Sequence, residues 1–292
     1  MRDAALVLLG HGSRDRAGAE EFLAVADAVR AARPGLAVEA GVLEFAGPVA
    51  PSIAEAFARA VARGARRILA VPVLLHFGEH GTRDMPAVVA AARARHAPAE
   101  IRLAQPLAGH ERLLDLVAVR CAEVERMLGG DGPFPPAPLP PATTVLLVGR
   151  GSTSARANAD LYATARLFQE RGDYAAVEVC FVSLAAPCVP AGLRRCALLG
   201  ARRVLVIPYF VNTGLLVRRI AWQVDAARLF YPGIRVAVGA HFGPDPRLIA
   251  ALLDRARAAW PELVGCVEET ASVEPEAEAR LVAPPGSAGA AR

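Results

Sequence analysis

The chain has 292 residues, 54% of them hydrophobic, with 33 basic and 29 acidic side chains and a formal net charge of +4. That length exceeds one typical domain and predicts two, each able to bury a core. No apolar run approaches the roughly 18 residues of a membrane span. The basic residues, all arginine, are dispersed rather than gathered into the stripe that nucleic acid requires. Neither a membrane nor a nucleic acid is therefore expected as a partner.

Arg2 and Asp3 lead into a strand-like run without a cleavage-site pattern, so a cytoplasmic protein is expected. That run, from Ala4, ends in Gly10-His11-Gly12-Ser13, and the glycines allow a sharp turn that leaves His11 uncrowded. Residues 17–32 carry Phe22, Val25, Ala26 and Val29 at helical spacing, and Pro34-Gly35 stops that helix. Leu36 to Leu43 predicts a second strand, leading to Glu44 and a loop at Gly47-Pro48. A helix follows from Ser52 to Arg63, stopped by Gly64. Arg67 to Leu75 is a continuous apolar run, the pattern of a central parallel strand. The loop His76-Phe77-Gly78-Glu79-His80-Gly81 comes next, then a helix capped by Thr82 or Asp84. Glu100 to Ala104 is a short fourth strand, and residues 109–128 form the last helix of this half.

Residues 129–142, GGDGPFPPAPLPPA, cannot build a core and read as a stiff linker. The second half then repeats the first. LLVGRGSTSARANADLY matches VLLGHGSRDRAGAEEFL, and GARRVLVIPYF matches GARRILAVPVL, with a small insertion near Gly47-Pro48-Val49 in the first copy. The domains are therefore expected at 1–128 and 143–262. Residues 263–292 turn acidic and then rich in Pro, Gly and Ala, and are expected to be a disordered tail. The five cysteines (Cys121, Cys180, Cys188, Cys196 and Cys266) form no C-x-x-C pair and read as reduced, buried thiols, neither zinc nor iron–sulfur ligands.

Alternating strands and helices predict an α/β fold of two tandem flavodoxin-like domains. Each is a four-stranded parallel sheet in the order 2-1-3-4, flanked by helices. In that order the loops after the first three strands crowd one edge of the sheet, where open α/β sheets bind ligands. Those loops carry His11, Glu44 and His80 in the first half, with His76 as a fourth candidate. Two imidazoles and a carboxylate suit a divalent first-row metal with open positions, and could also move protons near neutral pH. Singly, each has a plainer role, as a hydrogen-bonded loop histidine or an ion-paired glutamate. The repeat supplies an internal control: His11 corresponds to Arg150, Glu44 to Ser183 and His80 to Leu216, while the framework survives in Gly149, Gly151, Pro208 and Gly214. A framework role does not predict the joint loss of all three, so the first half is expected to hold the active site. Arg150 is expected to salt-bridge across the halves rather than touch substrate. Asp15 spoils a G-x-G-x-x-G fingerprint and the absence of lysine excludes a P-loop, which leaves a phosphate-handling enzyme poorly supported.

GHGSR at 10–14, LEFAGPVAPSI at 43–53 and VPVLLHFGEHGTRDMP at 71–86 resemble, in that order, the motifs of the class II tetrapyrrole chelatases, specifically sirohydrochlorin chelatases of the CbiX type in their tandem two-domain form. The resemblance spans both halves. It implies a lyase-class enzyme that inserts a divalent metal into sirohydrochlorin, with His11 and His80 as metal ligands and Glu44 as their acidic partner. The three residues inserted beside Glu44 depart from the usual spacing. Arg14, Arg83 and His76, beside the motifs, are implied substrate contacts. No cofactor is implied beyond the substrate metal, with Co2+ for cobalamin synthesis ahead of Fe2+ or Ni2+. The alternatives are a ferrochelatase serving siroheme synthesis and a non-catalytic metal or tetrapyrrole carrier of the same fold. The expected assembly is a monomer whose halves act as a pseudo-dimer.

Overall fold

The computed structural model describes residues 3–76, 83–129 and 143–264. The first half runs β1 (Ala4–Gly10), α1 (Arg16–Ala32), β2 (Ala37–Val42), α2 (Ile53–Ala62), β3 (Arg67–Pro72), α3 (Met85–Arg95), β4 (Glu100–Leu103) and α4 (Glu111–Gly129). The second runs β5 (Thr143–Gly149), α5 (Ala155–Gln169), β6 (Ala176–Phe181), α6 (Val189–Leu198), β7 (Arg203–Pro208), α7 (Leu215–Arg228), β8 (Arg235–Val238) and α8 (Pro246–Ala259), closed by α9 (Pro261–Val264). Each half forms a parallel four-stranded sheet, in the orders β2-β1-β3-β4 and β6-β5-β7-β8, as the strand–helix alternation predicts. β1 and β5 are buried along their whole length, which explains their unbroken apolar sequence: both faces of each sheet are covered.

Local signals place the helices. Asp15 caps α1 by accepting from the Ala17 amide, and Ser52 with Glu55 forms a reciprocal capping box on α2. At α3 only one of the two expected caps is described, and it does not cap. Asp84 has helical backbone angles and no capping hydrogen bond, and its carboxylate pairs instead with Arg83 at 3.0 Å. Thr82, the other proposed cap, and residues 130–142 of the proline-rich stretch lie outside the described residues. Leu263 and Val264, at the start of the expected tail, are buried in α9, and residues 265–292 lie outside the described residues.

The two faces of each sheet are covered differently. On the outer face of the first sheet, Ala5, Val7 and Leu9 pack with Phe57 of α2 and Val89 of α3. On the outer face of the second, Leu146 and Val148 pack with Leu193 of α6 and Val224 of α7. The inner faces share one continuous apolar cluster that joins Leu6 and Leu8 of β1 to Val145 and Leu147 of β5. The halves exchange their last long helices across it. α4 packs on β7, β8 and α5 of the second half, while α8 packs on α1 and β3 of the first. Val124 of α4 lies so close to β8 that a Cβ added to Gly239 would come within 2.7 Å of it. Trp260, at the end of α8, stacks under the guanidinium of Arg102 of β4 at 4.0 Å. Polar ties reinforce the exchange. Arg120 of α4, nearly buried, donates to the His241 and Phe242 carbonyls at 3.0 and 2.8 Å, and Arg112 pairs with Asp254 of α8 at 2.6 Å. No helix among the described residues is long and apolar enough to cross a membrane.

Because α4 belongs to one half in sequence and to the other in packing, damage to it should unfold both together. Leu116→Ala, which empties a fully buried site on α4, is expected to cost about 2–5 kcal/mol in denaturant unfolding. The loss is expected in one cooperative transition reported alike by probes in each half. Two separate transitions, with only one displaced, would contradict a shared core.

Candidate functional site

The strand ends of both sheets open into one cleft of about 800 Å³ between the halves. The first half lines it with the loops after β1 and β2 and with residues 73–76 after β3. The second half lines it with the corresponding loops after β5, β6 and β7. This is the edge at which the 2-1-3-4 order concentrates loops, and its volume falls in the range of small-molecule sites.

His11 follows β1 directly, and the next residue explains its placement. Gly12 has φ +101°, and a Cβ there would lie 1.9 Å from the Glu44 carbonyl oxygen, so only glycine fits. The chain turns there, and the loops after β1 and β2 are stitched together. The Leu43 amide donates to the Gly10 carbonyl at 3.0 Å, and the Glu44 amide to the His11 carbonyl at 2.9 Å. His11 and Glu44 are thus backbone neighbours facing one cleft, His11 half-buried and Glu44 exposed. The second half repeats the device: Gly151 has φ +85°, and the Ser183 amide donates to the Arg150 carbonyl at 3.0 Å. The three-residue insertion falls beyond Glu44. Val42 bridges to Ser52 in the first half and Phe181 to Cys188 in the second. The backbone register of Glu44 therefore matches that of Ser183 despite the longer loop.

Of the remaining sequence candidates, His76 is half-buried on the cleft wall, its Nδ1 buried without a hydrogen-bond partner among the described residues, and its ring lies 5.5 Å from that of Tyr209. Burial drives its pKa down to about 4, only partly opposed by the charge of Asp160, so the ring is neutral at physiological pH. Arg14 reaches the cleft and lies over the Phe45 ring at 4.9 Å, a cation–π contact. Arg83 is exposed at the start of α3, paired with Asp84, and is not among the described residues that line the cleft. His80 lies outside the described residues. Among the described residues no three His, Cys, Asp or Glu side chains are gathered closely enough to hold an ion.

The opposite wall meets these groups directly. Arg150, the repeat counterpart of His11, brings Nη1 to 3.3 Å from the His11 Nε2, so it does bridge the halves, through a ring nitrogen rather than a carboxylate. Asp15 and Arg218 pair across the cleft, and that guanidinium holds the Asp15 carboxyl below the usual carboxylate range. Glu21 of α1 accepts from the Thr213 amide and meets His241 Nε2 at 2.8 Å, which fastens the loop after β7.

Sequence reasoning missed Phe45 and Leu184. Both have φ +56°, a left-handed conformation uncommon for bulky residues, and both stand exposed on the cleft wall. The available signal was their equivalent place, each one residue after the Glu44–Ser183 pair of the repeat. Cys188 also departs from expectation. It is exposed ahead of α6, whereas Cys121, Cys180 and Cys196 are buried and burial raises their thiol pKa values.

The family model described as CbiX matches residues 5–124 and again residues 144–259. A sirohydrochlorin cobaltochelatase of Priestia megaterium is 30% identical over 253 residues, covering 86% of this chain and 78% of the relative. A sirohydrochlorin ferrochelatase of the same organism is 28% identical, covering 76% of this chain and 78% of its own length. Among solved structures, SirB from Bacillus subtilis with Fe3+ superposes with a TM-score of 0.72 at 24% identity, covering 89% of this chain and 96% of that one. Its likeness concerns the fold.

The state of His76 has a measurable consequence. Its folded pKa lies below its ordinary value of 6.5, so the unfolded chain takes up a proton that the folded chain refuses. The associated stability is complete above pH 6.5 and is lost as pH falls toward 4. His76→Asn, which copies the residue at the equivalent Asn212, should remove this dependence. The variant should lose about 2 kcal/mol less than the parent between pH 7 and pH 5 in urea unfolding. Parallel losses would place the ring in a better-solvated setting.

Proposed function

Because this chain belongs to the CbiX family, the sirohydrochlorin chelatases, we propose that its cleft inserts Co2+ into sirohydrochlorin for cobalamin synthesis. The observation that carries this reading is the asymmetry of the duplicated cleft. Two loops of one geometry face each other; one bears His11 with Glu44, the other Arg150 with Ser183. The cation is held from the first half, and the second half supplies the wall against which the macrocycle lies.

Chelation requires the ion to lose water, to sit beside the macrocycle, and to replace two pyrrole protons. The metal is substrate here, so its ligands must release it. Imidazole nitrogens bind first-row divalent ions while leaving coordination positions for the ring nitrogens. His11, with His80 from the sequence motif, fills that role, and Glu44 completes the coordination or takes up the displaced protons. The exposed apolar side chains of Phe45, Leu184 and Leu215 offer surface to a flat macrocycle, and Arg14 and Arg150 are cations for its carboxylates. Arg83 stands outside the described wall of the cleft. The shared core supports a monomer acting as a pseudo-dimer.

The cobalt and iron relatives are nearly equal in identity, so metal choice is decided by assay. Insertion into sirohydrochlorin with Co2+, Fe2+ and Ni2+ compared side by side should run fastest with Co2+. A faster rate with Fe2+ would assign the chain to siroheme synthesis instead. His11→Ala should lower kcat/KM at least about 100-fold with an unchanged melting temperature. Undiminished turnover by that variant would remove the metal-binding role of the loop.

A further inference from the structure

We propose that Arg150 couples macrocycle binding to metal access: its guanidinium occupies the His11 nitrogen that would receive the ion, and a substrate carboxylate draws it away. The inference rests on the reading of His11 as a metal ligand.

The first step is bonding geometry. A guanidinium carries donors only and stays charged throughout the accessible pH range. Across the 3.3 Å contact Arg150 Nη1 therefore donates and His11 Nε2 accepts, which puts the ring proton on Nδ1. An imidazole nitrogen has one in-plane lone pair. A divalent ion bound through Nε2 would lie about 2 Å away along the direction that Arg150 now occupies. The two cations compete for one lone pair and also repel each other.

The second step is what can move Arg150. Arg218 is already paired with Asp15, and Arg14 lies over Phe45. Among the described residues Arg150 makes its polar contact with the His11 ring rather than with a carboxylate. A neutral ring nitrogen is a weaker partner for guanidinium than a carboxylate, which it can bind in a charge-assisted fork. Arg150 is exposed and lines the cleft, so an anionic macrocycle can reach it. Binding of the macrocycle would thus satisfy Arg150 and release Nε2 in the same step. The repeat geometry explains the encounter, since both residues follow a first strand and precede a left-handed glycine, Gly12 or Gly151.

The test uses the full chain with Arg150→Ala, Arg150→Gln and Arg150→Lys, each first shown to keep the parent's melting temperature. Co2+ affinity is measured without macrocycle, by competition with a chromogenic chelator; KM and kcat are measured with sirohydrochlorin. The alanine and glutamine variants should bind Co2+ about threefold or more tightly than the parent. Their KM for sirohydrochlorin should rise about tenfold with a smaller change in kcat. Lysine should restore most of the KM. Unchanged or weakened Co2+ affinity in both neutral variants, or an unchanged KM, overturns the coupling. His11→Ala separates the two readings. If it loses Co2+ binding while the Arg150 variants behave as the parent, only the coupling fails. If it binds Co2+ normally, the metal-ligand reading fails and the coupling with it.

Discussion

The exchange of α4 and α8 is the constraint on which the molecule depends. Each sheet buries its outer face under two of its own helices and its inner face under its own first helix together with the last long helix of its twin, so neither inner face is covered by its own half alone. Apolar burial is worth roughly 25 cal/mol per Å², and the shared inner cluster sets the two sheets in one orientation. The strand ends of both then open toward the same space, and the cleft follows from how the core is closed. Arg120, nearly buried, ties the exchange with polar contacts on both sides, reaching the carbonyls of His241 and Phe242 across the halves and Glu123 on its own helix.

Duplication has kept backbone and released side chains. The parts that could not drift are those whose geometry is forced: the left-handed glycines after His11 and Arg150, the amide–carbonyl links joining neighbouring loops, and the left-handed residues Phe45 and Leu184. Side chains that face the cleft carry no such obligation. One copy therefore shows an imidazole beside a carboxylate, and the other a guanidinium beside a hydroxyl. The same scaffold presents a site that attracts cations opposite one that attracts anions, which suits a reaction whose two substrates are a metal ion and a polycarboxylate.

Cross-cleft ties give this arrangement its stiffness. Asp15 with Arg218, and Glu21 with the Thr213 amide and His241, run from the start of the first helix of one half to α7, the loop after β7 and the segment after β8 in the other. They join the same two halves whose cleft walls meet at Arg150 and His11. His76, kept neutral by burial beside Tyr209, belongs to the wall itself.

By itself the sequence determined what local pattern controls. Unbroken apolar runs marked parallel strands covered on both faces, glycine and proline marked the loop ends, and internal repetition marked two copies of one topology. Together these placed His11 and Glu44 on neighbouring loops. The tertiary structure alone decided which sheet each last helix covers, because an amphipathic stripe specifies burial and not a partner. It also decided that Arg150 meets His11, that His76 is neutral, and that Cys188 is exposed while three other cysteines are buried. Those outcomes depend on distance and desolvation between segments far apart in the chain, and the order of residues does not carry that information until the core closes.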